Sequence, residues 1–261
     1  MSRRAFRYSP GRSLVTGASS GIGAEFARVL AARGSDLVLV ARREDRLTAL
    51  ADEVESTYGV RCRTVPWDLS EEASGRRLRA IVPERIDLIV NNAGFAVQGP
   101  FVDGDADDFE RLVAVDIRAV VDICSAFLPG MIARTAGTIV NVASTTAFQP
   151  VPTLAVYAAA KAFVLSFSQS LWYEAAQHGV RVFALNPGPT HTEFFDVIGD
   201  SATATGTYQT PADVVATAMK ELDAKRSRPH VISGRRNALQ AAMAGIVPAR
   251  VLLPALARML H

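Results

Sequence analysis

The sequence predicts an α/β protein: a doubly wound parallel sheet of about seven strands with helices on both faces. Three observations predict it. Short β-branched runs alternate with helical patterns almost from end to end. The runs are nearly all-apolar, which is how strands buried on both faces read. The connections between them are short, as they are in βαβ units.

Strand-like runs fall at 13–16, 36–40, 62–65, 86–90, 138–142 and 180–185, and helical patterns at 22–32, 43–58, 71–82, 107–132, 154–178 and 212–225. No repeat, low-complexity tract or Pro/Ser-rich linker divides the chain, and 261 residues suit one large α/β domain. Residues 1–261 therefore read as a single domain, with 1–11 a short solvated arm and 237–261 an apolar helical segment.

Composition narrows the function. At 49% hydrophobic and 21% charged, with 18 Gly and 13 Pro, the chain is not disordered, collagen-like or a coiled coil. A formal charge of +2 is too small to imply nucleic acid as the main partner. Cys62 and Cys124 alone make no disulfide framework, and His178, His191, His230 and His261 lack metal-site spacing, so no metal is expected. Pro248, Arg250, Pro254 and Arg258 interrupt the most apolar stretch, so no integral membrane span is expected. Arg3, Arg4, Arg7 and Arg12 precede no apolar run that would make a secretory signal, and the expected location is cytoplasmic.

In such a sheet a ligand binds outside the carboxyl ends of the strands, where strand order reverses. The residues just after each strand therefore carry the chemistry. The first strand runs into Gly17-Ala18-Ser19-Ser20-Gly21-Ile22-Gly23 and then a helix. Glycines there let backbone approach a pyrophosphate, and the helix N-terminus offers free N–H groups. The second strand ends in Arg42-Arg43, where a site for NAD would usually place an acid; arginine suits the 2′-phosphate of NADP. Glu44 and Asp45 read as the start of the next helix. Asp68-Leu69 follows the third strand, its carboxylate suited either to an adenine amino group or to a cap. Asn91-Asn92-Ala93-Gly94 closes the fourth, leaving room for a cofactor ribose.

The fifth strand leads to Ser144, and thirteen residues on come Tyr157 and then Lys161, four apart and so on one helical face. Lysine is rare here: Lys161, Lys220 and Lys225 are the only three. A lysine with apolar neighbours on both sides needs a partner.

Together these motifs resemble the short-chain dehydrogenase/reductase family. Thr16-Gly17-x-x-x-Gly21-x-Gly23, Asp68, Asn91-Asn92-Ala93-Gly94, Ser144, Tyr157-x-x-x-Lys161 and Asn186-Pro187-Gly188-Pro189-Thr190 stand in the family's order, over roughly residues 12–232. The resemblance implies a Rossmann-type fold, a nicotinamide cofactor and hydride transfer between a carbonyl and an alcohol. It implies Tyr157 as acid/base, Lys161 lowering its pKa and binding the nicotinamide ribose, and Ser144 holding the substrate oxygen. Cofactor contacts would come from Gly17, Ser19, Ser20, Gly21, Ile22, Gly23, Arg42, Arg43, Asp68, Leu69, Asn92, Ala93, Gly94, Tyr157, Lys161, Pro187, Gly188, Thr190 and Thr192. One position departs from the pattern. The family commonly has asparagine 28 positions before the serine, as part of a proton relay; here it is Asp116, which could pair with Lys161 or sit protonated.

The substrate walls should come from 95–100, 145–153 and 189–210. These contain Phe95, Val97, Phe148, Phe194, Phe195 and Ile198 and no Lys or Arg. The expected substrate is a neutral, fairly apolar ketone, aldehyde or secondary alcohol, with NADPH preferred over NAD. The alternative is a non-catalytic NADP(H)-binding sensor. The apolar helices at 107–132 and 154–178 predict a homodimer or homotetramer, with the C-terminal segment adding to the interface or touching a membrane surface.

Overall fold

The computed structural model describes residues 11–193, 208–244 and 249–259. In chain order the elements are β1 (Arg12–Thr16), α1 (Gly21–Ala32), β2 (Asp36–Ala41), α2 (Glu44–Tyr58), β3 (Cys62–Pro66), α3 (Ser74–Ile81), β4 (Leu88–Asn91) and α4 (Ala106–Val113). There follow α5 (Ala119–Ala133), β5 (Thr138–Val142), α6 (Ala155–Ala176), β6 (Arg181–Asn186), α7 (Pro211–Leu222), β7 (His230–Ile232), α8 (Arg235–Ala244) and α9 (Ala249–Met259).

All seven strands pair in parallel, in the order β3-β2-β1-β4-β5-β6-β7. The apolar runs are explained by the two cores they feed. Val15, Leu37, Leu39, Val90, Val140 and Phe183 face α1, α2 and α7 through Phe26, Leu30, Leu47, Val214 and Leu222. Their neighbours Leu14, Val38, Val40, Ile89, Ile139 and Val182 face α3, α5 and α6 through Leu78, Ile123, Met131 and Val164. Successive strand residues point to opposite faces, so both must be apolar.

Helix ends follow local chemistry. Glu44 and Asp45 do begin α2, which stops at Gly59 in the left-handed region (φ 67°). Thr210 and Asp213 form a reciprocal capping box around Pro211 at the start of α7.

Two expectations are corrected. The helix expected from 71 begins at Ser74, because residues 68–73 turn instead; Ala73 is left-handed (φ 55°) and the Ser74 hydroxyl donates to the Glu71 carbonyl. The single helix expected over 107–132 is α4 and α5 joined by one π-helical turn, Ala114–Arg118. The seventh strand, β7, has only three residues, too few to leave a periodic signal.

Candidate active site

Strand order reverses between β1 and β4, and a cleft of about 770 Å³ opens at their carboxyl ends. Its floor at one end is the turn between β1 and α1. Gly17 (φ 63°) and Gly21 (φ 54°) adopt conformations that disfavour side chains. A Cβ on Gly17 would lie 2.8 Å from the Asn92 amide nitrogen, and one on Gly23 would lie 2.2 Å from the Gly17 carbonyl oxygen. Asn92 is what holds the turn: its side chain donates to the carbonyls of Thr16 (3.0 Å) and Gly17 (3.3 Å). Thr16 reciprocates, its hydroxyl accepting the N–H groups of Asn92 and Ala93. Asn91 points the other way, into a buried chain through Asn141 to Ser168 that ties β4 to β5 and α6.

The end of β2 places Arg42 and Arg43 on the cleft wall. Arg43 is the engaged one: its guanidinium donates to the hydroxyls of Ser19 (3.0 Å) and Ser20 (2.9 Å) and to a carboxylate oxygen of Glu193 (2.8 Å). Arg46, one turn further along α2, pairs with the other oxygen of Glu193. The two guanidiniums hold the Glu193 carboxyl far below its usual range, at about 2. Glu193 and Arg46 are absent from the sequence-derived site. Arg46 was legible, three residues after Arg43 on the same helix; Glu193 was not.

Asp68 lines the same end of the cleft and accepts the Ser70 N–H (2.8 Å). Burial pushes its carboxyl up, but that hydrogen bond and the charges of Arg42 and Arg111 outweigh burial, and the net shift is downward. It caps a turn, not a helix, since α3 starts six residues later.

The other end of the cleft gathers Ser144, Tyr157, Lys161 and Asp116. Lys161 is 5% exposed and Asp116 fully buried, with 2.8 Å between ammonium and carboxylate. The carboxylate's other oxygen accepts the Phe95 N–H, and Lys161 also donates to the Val142 carbonyl (3.3 Å). Of the two alternatives for Asp116, the geometry gives the pair. Gly94 makes room for it: a Cβ there would come within 3.1 Å of both charged groups.

Ser144 and Tyr157 are both buried against the cleft, and Lys161 lies 5.5 Å from the centre of the tyrosine ring. Burial raises the phenol's pKa; Lys161 pulls it down, Asp116 pushes it up, and the net direction is upward. Burial disfavours the Lys161 ammonium, yet Asp116 overrides it and holds the charge in place. The lowering influence expected of Lys161 is present, but it does not outweigh burial.

Pro187, Gly188, Thr190 and Thr192 complete the wall after β6. The Thr190 hydroxyl donates to the Gly188 carbonyl (2.9 Å), and the Thr192 methyl sits 2.8 Å from where Gly21 would carry a Cβ. Phe194, Phe195 and Ile198, expected on the substrate side, lie outside the described residues. Phe95, Thr145, Gln149, Val151 and Thr153 do line the cleft. Two additions correct the substrate-side expectation. Arg111 of α4 stands on the wall, over the Phe95 ring at 5.7 Å and paired with Asp108 at 3.2 Å, so a cation is present that the loop segments did not contain. Gln240, Ala241 and Met243 of α8 and Leu252 and Leu256 of α9 also line the cleft, giving the C-terminal segment a place at the site.

The cleft fits a dinucleotide: a glycine cradle that side chains would fill, guanidiniums beside two serines, and buried polar atoms on Trp67, Gln98 and Thr146 with no partner among the described residues. Those residues hold no cluster of three or more potential metal ligands, and no helix long and apolar enough to cross a membrane.

Fold and cleft together define a doubly wound, Rossmann-type protein with a dinucleotide-sized site at its switch point. A sequence profile described as short chain dehydrogenase matches residues 12–202, and the chain belongs to the short-chain dehydrogenase/reductase family. Sulfoacetaldehyde reductase 2 of Chromohalobacter salexigens is 37% identical over 216 residues, 80% of this chain and 85% of that one. A short chain dehydrogenase of Pseudocercospora fijiensis is 37% identical over 188 residues; the match spans 69% of this chain and 60% of that relative's length. Among solved structures, a short-chain dehydrogenase from Sphingobium yanoikuyae in complex with NADPH superposes with a TM-score of 0.80 at 35% identity, covering 90% of this chain and 94% of that one.

Proposed function

We propose that this chain transfers a hydride between NADP(H) and a neutral, fairly apolar ketone, aldehyde or secondary alcohol, with Tyr157 as acid and base. The observation that carries the reading is the buried set of Ser144, Tyr157 and Lys161 at one end of the cleft, the lysine's charge paired with Asp116.

The bound nicotinamide would supply or accept the hydride. In reduction, Ser144 donates to the carbonyl oxygen and positions it beside the Tyr157 hydroxyl. Burial keeps Tyr157 protonated, the form an acid needs, and it gives its proton to that oxygen as negative charge develops there. The Lys161 ammonium stabilises the phenolate left behind. In oxidation the same groups run in reverse. Lys161 is also within the cleft to bind ribose hydroxyls, with Gly94 leaving the space.

Glycines 17, 21 and 23 and the N-terminus of α1 would receive the pyrophosphate. Arg43 with Ser19 and Ser20 supports a 2′-phosphate site. Arg42, exposed beside it, adds charge. The substrate class rests on the walls: Phe95, Val151, Leu252 and Leu256 are apolar, and Arg111 is already paired with Asp108.

The test is NADPH oxidation across a panel of neutral aryl and alkyl ketones, aldehydes and keto acids, with NADH in parallel. Turnover of neutral ketones or aldehydes with NADPH, lost in Tyr157→Phe, is expected. NADPH binding with no turnover across the panel would favour a sensor instead.

A further inference from the structure

Arg43 and Arg46 are not waiting for an anion. Glu193 reaches them from the far wall of the cleft, about 150 residues later in the chain, and spreads its two carboxylate oxygens over both guanidiniums. The adjoining Thr192 methyl packs against Gly21, so residues 192–193 cross the lip of the glycine turn and end on α2. Ser19 accepts from Nε and Nη2 of Arg43, and Ser20 from Nη2.

We propose that Glu193 is a specificity-determining residue for the cofactor: an internal competitor for the guanidiniums that a 2′-phosphate would need. The inference rests on the NADP reading of Arg43 given above. A phosphomonoester of about −1.5 to −2 charge arriving there must displace the carboxylate or bind beside a like charge. Either way Glu193 subtracts from NADP(H) affinity. NAD(H) carries neutral hydroxyls at the same position, which a carboxylate accepts without repulsion. Glu193 therefore narrows a preference that the arginines alone would make wide. Its two contacts are each about two-fifths exposed, so their effect is moderate and salt-sensitive.

The experiment measures dissociation constants of NADPH, NADH, adenosine 2′,5′-bisphosphate and AMP by calorimetry, for the parent and Glu193→Gln. NADPH and the bisphosphate should bind the variant roughly five- to tenfold more tightly at low salt, with NADH and AMP changed by less than about twofold. The gain should shrink as salt rises. Arg46→Gln, which removes a guanidinium from the same pair, should weaken NADPH and the bisphosphate while sparing AMP. Equal NADPH affinity in parent and Glu193→Gln, or an equal gain for NADH, overturns the role of Glu193 and leaves NADP binding standing. A parent that binds neither dinucleotide overturns the proposed function and this inference with it.

Discussion

Lys161 and Asp116 are a buried charge pair, and such pairs are strongly destabilising when one partner is removed. Asp116→Ala should lower stability by about 3–5 kcal/mol, as measured by denaturant unfolding, because the ammonium is left unpaired in a dry site. Asp116→Asn keeps the shape and removes the charge, which separates chemistry from folding. Asp116 raises the Tyr157 pKa directly, but it also holds the Lys161 ammonium, whose lowering influence on Tyr157 is the larger, so removing the Asp116 charge raises that value. Oxidation needs the phenolate and should then begin at higher pH; reduction needs the phenol and its alkaline limb should also move to higher pH. A pH profile of kcat/KM in both directions that does not move would show that Asp116 has no electrostatic hold on Tyr157. For Tyr157→Phe, kcat should fall by at least about a hundredfold, the scale of a lost general acid, while NADPH affinity stays within about threefold. A kcat above a tenth of the parent's would remove Tyr157 from the role.

At the scale of elements, the close approach of α3 and α5 depends on Gly75. A Cβ there would lie 2.1 Å from the carbonyl carbon of Asp122, and backbone cannot step aside as a side-chain tip can. Gly75→Ala should cost about 1–3 kcal/mol by forcing the helices apart, a fall in Tm of about 3–10 °C by differential scanning fluorimetry. The interior of each element was legible because its cause is local. Apolar runs gave the strands, the helical pattern at 212–225 gave α7, and the four-residue spacing of Tyr157 and Lys161 put both on one face. The π-turn that carries Asp116 was not legible, since 107–132 keeps an unbroken helical pattern through it. Such turns hold an extra residue against the helix period and recur at functional sites. The wall residues Arg111 and Leu252 were hidden for a different reason: each reaches the cleft from a segment whose own sequence says nothing about where it packs, while Glu193 fell inside the expected wall at 189–210 but its reach to Arg43 and Arg46 left no local signal.

Across the whole molecule, α6 offers the apolar surface behind the expected assembly. Phe163 is 41% exposed and stacks on Phe167 at 5.9 Å, on the outside of the helix that carries Tyr157 and Lys161. The expected outcome of light scattering at micromolar concentration is a dimeric or tetrameric mass, and Phe163→Glu should reduce it. A monomeric mass for the parent would leave those rings without a covering partner.

The strand order also divides the labour of the cleft along the chain. β3, β2, β1 and β4 are neighbours, and all are complete by Asn91. The glycine turn, Arg43 and Asp68 belong to that first stretch; Asp116, Ser144, Tyr157 and Lys161 all come later. A ribosome making this protein therefore finishes the glycine turn and the arginine end of the cleft before it has made any of the four groups of the proposed proton transfer. The proposed phosphate-holding end is built first and the proposed reacting end second, and β5, laid against β4, is the seam where the later strands are fastened to the earlier ones.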